Sequence, residues 1–321
     1  MAGVRKEITE MCKEHITAIK QVLRNNHKGS IPILHCLEHS NGTLKATDLS
    51  VMVEVKTPTI ADGIWKAEAL DYGFKEDTKE TEWGVNDFPT LEDKKMTQEI
   101  ELSGEDMAKI IRAMDFASKD MTRPALTGVA IEEQRVYGCD GYRLYRNQIS
   151  NGLSKTIILP PECVKILKAV KADKKNWTLT IYDDHNVAFR SGNFTLHSRL
   201  IDTTIPVYED LLKEREYGYS LQLDMKQIKA GKDKALMVDR DGAKVYLSDR
   251  NGENKILISE GVVKKDGTIG SPKNIEVVMP LAGGFKGNTM IDLAIMKQYK
   301  RKIVLRMKDN DNKPVYVEEI K

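Results

Sequence analysis

The residues that could do chemistry are few. His35-Cys36-Leu37-Glu38-His39 has the spacing H-x-x-E-H, in which two histidines would hold a zinc ion and the glutamate would act as general base. That chemistry needs both histidines on one helix face. Here the motif runs as a strand into the turn Asn41-Gly42, and strand rise would set the histidines about 13 Å apart. The expected reading is one strand face plus turn residues. Asp183-Asp184 and Asp309–Asp311 are acidic turns that could take a cation but read as plain turns. Gly283-Gly284 with Lys286 and Gly287 lacks the phosphate-loop spacing. No nucleophile, base and orienting group fall into a set. The expectation is a protein without catalysis, metal or cofactor of its own.

The remaining candidates are bases and a sticky corner, and they require elements to position them. The 321 residues are 40% hydrophobic and 31% charged, which fits two or three globular domains. No run of about 18 apolar residues marks a membrane span, and the first residues do not form a secretory signal. Cys12, Cys36, Cys139 and Cys163 form no CxxC pair, as expected of reduced thiols in a cytoplasmic protein. The net charge of +2 does not announce a nucleic-acid partner, so the placement of the bases must decide.

Helical spacing is clearest over 4–26. Val4, Ile8, Met11, Cys12, His15, Ile19, Val22 and Leu23 share one side, and Lys6, Lys13, Lys20 and Arg24 the other. Such a basic stripe is either an ordinary solvated face or a phosphate-facing one. Ser103 with Asp106 marks the start of a second helix. Met107, Ile110, Ile111 and Met114 form its apolar side, and Lys109, Arg112 and Lys119 are its bases. Residues 162–172 read as a third helix, with Cys163, Ile166, Leu167 and Val170 inward and Lys165, Lys168, Lys171, Lys174 and Lys175 on the other faces. Leu223–Lys234, with Lys226, Lys229 and Lys232, and Thr289–Tyr299, with Lys297, complete the helical stretches.

Between them lie strands. Ile31–Leu37, Leu44–Asp48 and Val51–Val55 surround the hairpin signal Asn41-Gly42. Ile64–Leu70 reads as a short helix, Lys75–Gly84 as a charged loop, and Phe88–Lys95 as a domain edge. Leu126–Ile131 and Val136–Cys139 read as two strands before the turn Asp140-Gly141, with the aromatic and basic Tyr142-Arg143-Leu144-Tyr145 beyond. Trp177–Tyr182, Val187–Arg190 and Phe194–Leu200 alternate like a meander. Ala235–Val238, Lys244–Ser248, Ile256–Ile258, Ile275–Met279, Ile303–Met307 and Pro314–Val317 are the later strands.

One order recurs three times: a basic helix, a base, an apolar strand, a turn, then a strand ending in Asp. The copies run from Lys28 to Asp48, from Arg123 to Asp140 and from Lys234 to Asp249. A second basic helix follows in copies two and three and is faint in copy one. Three units of this kind make three α+β domains, placed at 1–94, 95–213 and 214–321. With their helices on one side they would present a shared basic surface, suited to phosphates rather than base readout.

Several dispersed stretches, in the same order, resemble the bacterial-type DNA sliding clamp, the beta subunit of DNA polymerase III. They are SIPIL (30–34) with NGTLKATDLSVMVEV (41–55), TRPALTG (122–128) with CDGYRLY (139–145), and SGNFTLHSRLIDTTIPVYEDLL (191–212). The resemblance implies helices lining a central hole, antiparallel sheets outside, and a head-to-tail homodimeric ring around double-stranded DNA. It implies DNA contact at Lys28 and Arg123; the basic helix faces and the repeat add Lys13, Lys20, Arg24, Lys109, Arg112, Lys168, Lys226, Lys229, Lys234 and Lys297 as expected contacts. It implies a pocket between domains two and three for peptide motifs of the replicative polymerase and clamp loader. Its matching positions are Leu126, Cys139, Gly141, Tyr142, Arg143, Leu144, Pro206 and Leu211, with Cys139 and Tyr142 in place of the family's usual Thr and His. On this reading Arg123 faces DNA while Gly141–Leu144 points away to partners. Departures are a missing early strand, a short stretch over 56–88, and the end VYVEEIK without the usual closing strand. A phage-encoded or divergent member, in a bacterial or infected cytoplasm, fits them. A non-ring protein-binding scaffold is the competing expectation, and the zinc hydrolase a remote one.

Overall fold

The computed structural model describes residues 13–26, 31–89, 95–141, 144–183, 185–208 and, more sparsely, parts of 219–320. It divides into two compact units, Met1–Pro206 and Val207–Lys321.

The first unit opens with helix α1 (Lys13–Asn25), which buries His15, Ala18, Ile19 and Val22. This i, i+3, i+4, i+7 spacing lays one stripe on the core. The expected stretch before Lys13 lies outside the described residues. The helix ends in side-chain hydrogen bonds: Asn25 donates to Asp48 at 2.7 Å, and Asn26 to the carbonyls of Leu34 and Thr47.

A 3-10 turn at Pro32–His35 follows, where a strand from Ile31 was expected. Proline at its first position has no N–H to lose and fixes a helical φ. The strand β1 therefore begins only at Cys36 and runs to Ser40. The Asn41-Gly42 turn pairs Ser40 with Thr43, so β1 and β2 (Thr43–Thr47) form the expected hairpin. β3 (Val51–Lys56) continues it. The stretch Ile64–Leu70, read as a helix, is instead strand β4 (Gly63–Lys66) paired with β1, then a single turn, α2 (Ala69–Tyr72). β5 (Lys79–Glu80) closes this edge. Thr90–Lys94, part of the expected domain edge, lies outside the described residues.

Next come β6 (Met96–Leu102) and α3 (Gly104–Ala113). α3 carries the capping box expected from Ser103: its Oγ accepts from Asp106 N, and the Asp106 carboxylate accepts from Ser103 N and Oγ. Residues 124–127 form one helical turn, α4 (Pro124–Thr127), where a strand from Leu126 was expected. Pro124 starts it, Thr127 Oγ1 donates to the Pro124 carbonyl, and Ser118 N donates to the Leu126 carbonyl. The alternation of small and apolar residues imitated a strand, but these local bonds fix a turn. β7 (Val129–Glu132), β8 (Arg135–Cys139) and β9 (Leu144–Gln148) follow, then β10 (Ile157–Leu159), α5 (Pro161–Ala169) and the expected meander β11 (Trp177–Tyr182), β12 (Asn186–Ser191) and β13 (Phe194–Arg199).

These strands make two antiparallel sheets. One has nine strands in the order β5-β4-β1-β2-β3-β13-β12-β11-β6, the other the order β10-β7-β8-β9. The nine-stranded sheet is closed at its centre by β3 and β13, pairing Val53 with Leu196 and Val55 with Phe194. The helices α1, α3 and α5 cover the apolar side, and one continuous core runs from Ile19 and Val22 through Met107 and Ile110 to Leu167 and Phe194.

The second unit contains two further antiparallel sheets. β14 (Tyr219–Asp224), β19 (Lys302–Met307) and β20 (Pro314–Ile320) form one; β15 (Lys244–Arg250), β16 (Glu253–Ser259), β17 (Val277–Pro280) and β18 (Asn288–Ile291) form the other. Residues 289–291, expected to open a helix, instead pair with β15 as Thr289–Leu247 and Met290–Tyr246. Here cross-strand pairing overrides the helical spacing. Ala235–Val238, residues 292–299, Gly283–Gly287, Asp184 and Asp309–Asp311 lie outside the described residues.

Candidate nucleic-acid interface and partner corner

Two groups of side chains are candidates, and the H-x-x-E-H residues are not among them. His35 ends a 3-10 turn and is exposed, whereas His39 lies in β1 and is fully buried. His39 Nδ1 is 3.0 Å from Asp62 Oδ1 and its Nε2 3.0 Å from the Thr57 carbonyl, so the ring ties the 57–62 loop to the sheet. Glu38, one residue earlier, points to the opposite face and meets Lys45 at 3.1 Å. The three side chains do not converge, and among the described residues no three metal-ligating groups do. The described cysteines Cys36, Cys139 and Cys163 are buried and free. Burial pushes the Cys36 thiol up to about 11 and that of Cys163 to about 12, and raises Cys139 as well. These are packing groups rather than nucleophiles.

The first group is the outer side of the helices. α5 lies between α1 and α3, packed against both. On α1, Lys13 and Arg24 are exposed, while Lys20 forms an ion pair with Asp71 of α2. On α5, Lys165 and Lys168 are exposed, opposite the buried Cys163, Ile166 and Leu167. Lys171, just past α5, meets Glu14 of α1 at 2.6 Å and joins the two helices. On α3 the bases are half-buried: Lys109 meets Glu105 at 3.4 Å and Asp106 at 3.8 Å. Arg112 meets Asp115 at 3.3 Å and lies over the Phe116 ring. Lys226 and Lys229 of the second unit are exposed. Lys28, Lys234 and Lys297 lie outside the described residues. Lys165, which sequence reasoning left out of the site, was legible as an outward position three residues before Lys168.

The second group is the corner after β8. Antiparallel pairing returns the end of β8 to the start of β7, so the Asp140-Gly141 corner comes back beside the segment before α4. Gly141 holds φ +89°, and a Cβ there would sit 3.2 Å from Arg123 Nη1. Its N–H faces Cys139 Sγ at 3.3 Å. Arg123 is 62% exposed and only loosely paired with Asp120, at 3.9 Å. The hairpin thus sets the Arg123 guanidinium beside Gly141, two positions that the sequence reading placed at opposite ends of the motif. Leu126 on α4 and Cys139 are buried, and Leu144 half-buried. Pro206 is exposed at the end of a segment whose Ile201 N donates to the Ile158 carbonyl. Tyr142, Arg143 and Leu211 lie outside the described residues. The corner thus offers a guanidinium, an open glycine backbone and an apolar floor, which could grip a peptide carrying apolar and polar groups.

Residues 101–207 match the family profile described as DNA polymerase III beta subunit, central domain. A beta sliding clamp of Staphylococcus aureus is 25% identical over 192 residues, 56% of this chain and 51% of that protein. The chain thus spans about half the length of the curated relatives it matches. Among solved structures, a sliding clamp (DNA polymerase III subunit beta) from Pseudomonas aeruginosa superposes with a TM-score of 0.73 at 16% identity, covering 95% of this chain and 93% of that one. The DNA polymerase III beta subunit from Thermotoga maritima gives 0.70 at 16%, covering 95% and 92%. Residues 101–207 thus resemble the central domain of the DNA polymerase III beta subunit, within a chain that carries the beta sliding clamp fold.

Proposed function

We propose that the chain is a sliding clamp: a processivity factor that encircles duplex DNA and tethers a replicative polymerase, with no catalysis of its own. The observation that carries this reading is the layering of the first unit. A sheet continuous through β3 and β13 backs a row of helices, and two of them, α1 and α5, turn outward bases that have no acidic partner among the described residues. A ring that slides needs phosphate contacts that are individually weak and indifferent to sequence. Lysine on a helix face supplies them as a flexible point charge.

On this reading the first unit holds two clamp domains, 1–94 and 95–213 in part, and residues 214–321 supply the third. Two chains join head to tail into the ring. The corner of Arg123, Leu126, Cys139, Gly141 and Leu144, with Pro206, receives peptide motifs of the polymerase and the clamp loader. No helix among the described residues is long and apolar enough to cross a membrane, and the proposed place of work is the cytoplasm.

Sedimentation with low-resolution particle imaging tests the assembly. A dimer with a central hole of duplex width is expected. A monomer at micromolar concentration would favour a non-ring scaffold that binds protein motifs through the same corner.

A further inference from the structure

We propose that the phosphate track of the first unit runs over α1 and α5, through Lys13, Arg24, Lys165 and Lys168, while α3 takes no phosphate. The inference rests on the clamp reading and divides its DNA-facing surface into an active and a silent part.

The three helices bury comparable apolar stripes but differ in what they turn outward. α1 presents Lys13, Thr17 and Arg24 as exposed residues, with Lys20 held by Asp71. The open side of α5 presents Lys165 and Lys168. Among the described residues none of Lys13, Arg24, Lys165 and Lys168 has an acidic partner. α1 and α5 pack together, and Lys171–Glu14 ties them, so their bases share one surface.

On α3 the exposed positions are Glu105 and Ala108. Its two bases are engaged within the same stretch of chain, Lys109 by Glu105 and Asp106, Arg112 by Asp115 and the Phe116 ring. A phosphate approaching α3 would meet the Glu105 carboxylate and would have to displace an existing acidic partner from each base. That exchange gains little, because the displaced carboxylate stays beside the phosphates and repels them. Counterion release from DNA is what drives such binding, and it is available where the base has no acid beside it. The Lys109 stem is also half-buried, so its ammonium has short reach.

The experiment is equilibrium binding of the full chain to a short open-ended duplex across a salt series. Lys165→Ala with Lys168→Ala is expected to lower the slope of log affinity against log salt by roughly 1.8, about 0.9 per lost contact. Lys13→Ala with Arg24→Ala should do the same. Lys109→Ala with Arg112→Ala should leave the slope unchanged. All six positions lie on helix surfaces, and matched thermal melts confirm folding; the glutamine pairs replace any alanine pair that melts early. An α3 pair that lowers the slope as much as the α5 pair overturns the inference. A wild-type slope near zero overturns it too, because no phosphate track then exists. The clamp reading is judged separately, by whether the wild type binds open-ended duplex better than duplex blocked at both ends. Failure there leaves the comparison of helices standing as a property of the surface.

Discussion

The guanidinium of Arg123 lies against Gly141: Nη1 is 3.2 Å from the point that a Cβ on this glycine would occupy. The two residues are separated by two strands in sequence and joined by one hairpin in space. Gly141 also holds φ +89°, where a side chain is strained whatever the room around it. Gly141→Ala is therefore expected to cost about 1–2 kcal/mol in urea unfolding and to push Arg123 aside. Arg123→Ala is expected to leave the unfolding midpoint unchanged, since the group is largely exposed and loosely paired. Both should weaken capture of a polymerase-derived peptide in a titration. Unchanged peptide affinity in Arg123→Ala would remove this residue from the corner's function.

Asp106 holds together the start of α3. It is fully buried and accepts from Ser103 N at 3.0 Å, Ser103 Oγ at 2.7 Å and Ser150 N at 3.0 Å. Burial alone would raise its carboxyl, but the hydrogen bonds from Ser103 and Ser150 outweigh it and hold the group below its ordinary value of 3.8. A depressed carboxyl contributes stability that is complete above that ordinary value and is lost as pH falls through the folded value. Asp106→Asn should cost about 1–3 kcal/mol near neutral pH and flatten the acid limb of a pH-stability curve. Ser103→Ala should cost about 1 kcal/mol. An acid limb unchanged by Asp106→Asn would contradict the assignment.

His15 packs on the face of the nine-stranded sheet beside the junction of β3 and β13. It is buried on α1 and stacks on Phe194 of β13, with centroids 5.2 Å apart. Burial lowers its pKa below 6.5; Lys175 adds to the effect and Glu14 opposes it. The folded state then takes up a proton less readily than the unfolded chain. Stability should be full above pH 6.5 and decline as pH falls below it through the depressed value. Thermal melts between pH 7.5 and pH 5.5 should show that decline, and His15→Phe should reduce it. A pH response identical in both proteins would exclude His15 as its source.

Much of this architecture was legible because its signals are local. The capping box at Ser103 and Asp106, the Asn41-Gly42 hairpin and the meander from Trp177 to Arg199 are short-range patterns, and the structure keeps them. The junction of β3 with β13 was not legible, because Met52 and His197 pair across the whole of the intervening chain. The turn α4 was misread because Ala125 to Ile131 alternates as a strand does, while Pro124 and Ser118 impose a different local bond pattern. In the basic stripe of α1, spacing placed Lys20 outward correctly but could not show that Asp71 neutralises it. Likewise the repeat marked Arg123 and the turn signal marked Gly141, and only the folded hairpin puts one against the other.

The central claim is topological, and threading tests it most directly. Protein is incubated with a linear duplex, both ends are then blocked with bulky end-bound protein, and the complex is washed in high salt. A clamp should stay on the blocked duplex and leave when the duplex is cut between the blocks. Equal retention when the ends are blocked before the protein is added, or retention after the cut, would contradict a ring and show ordinary surface binding instead.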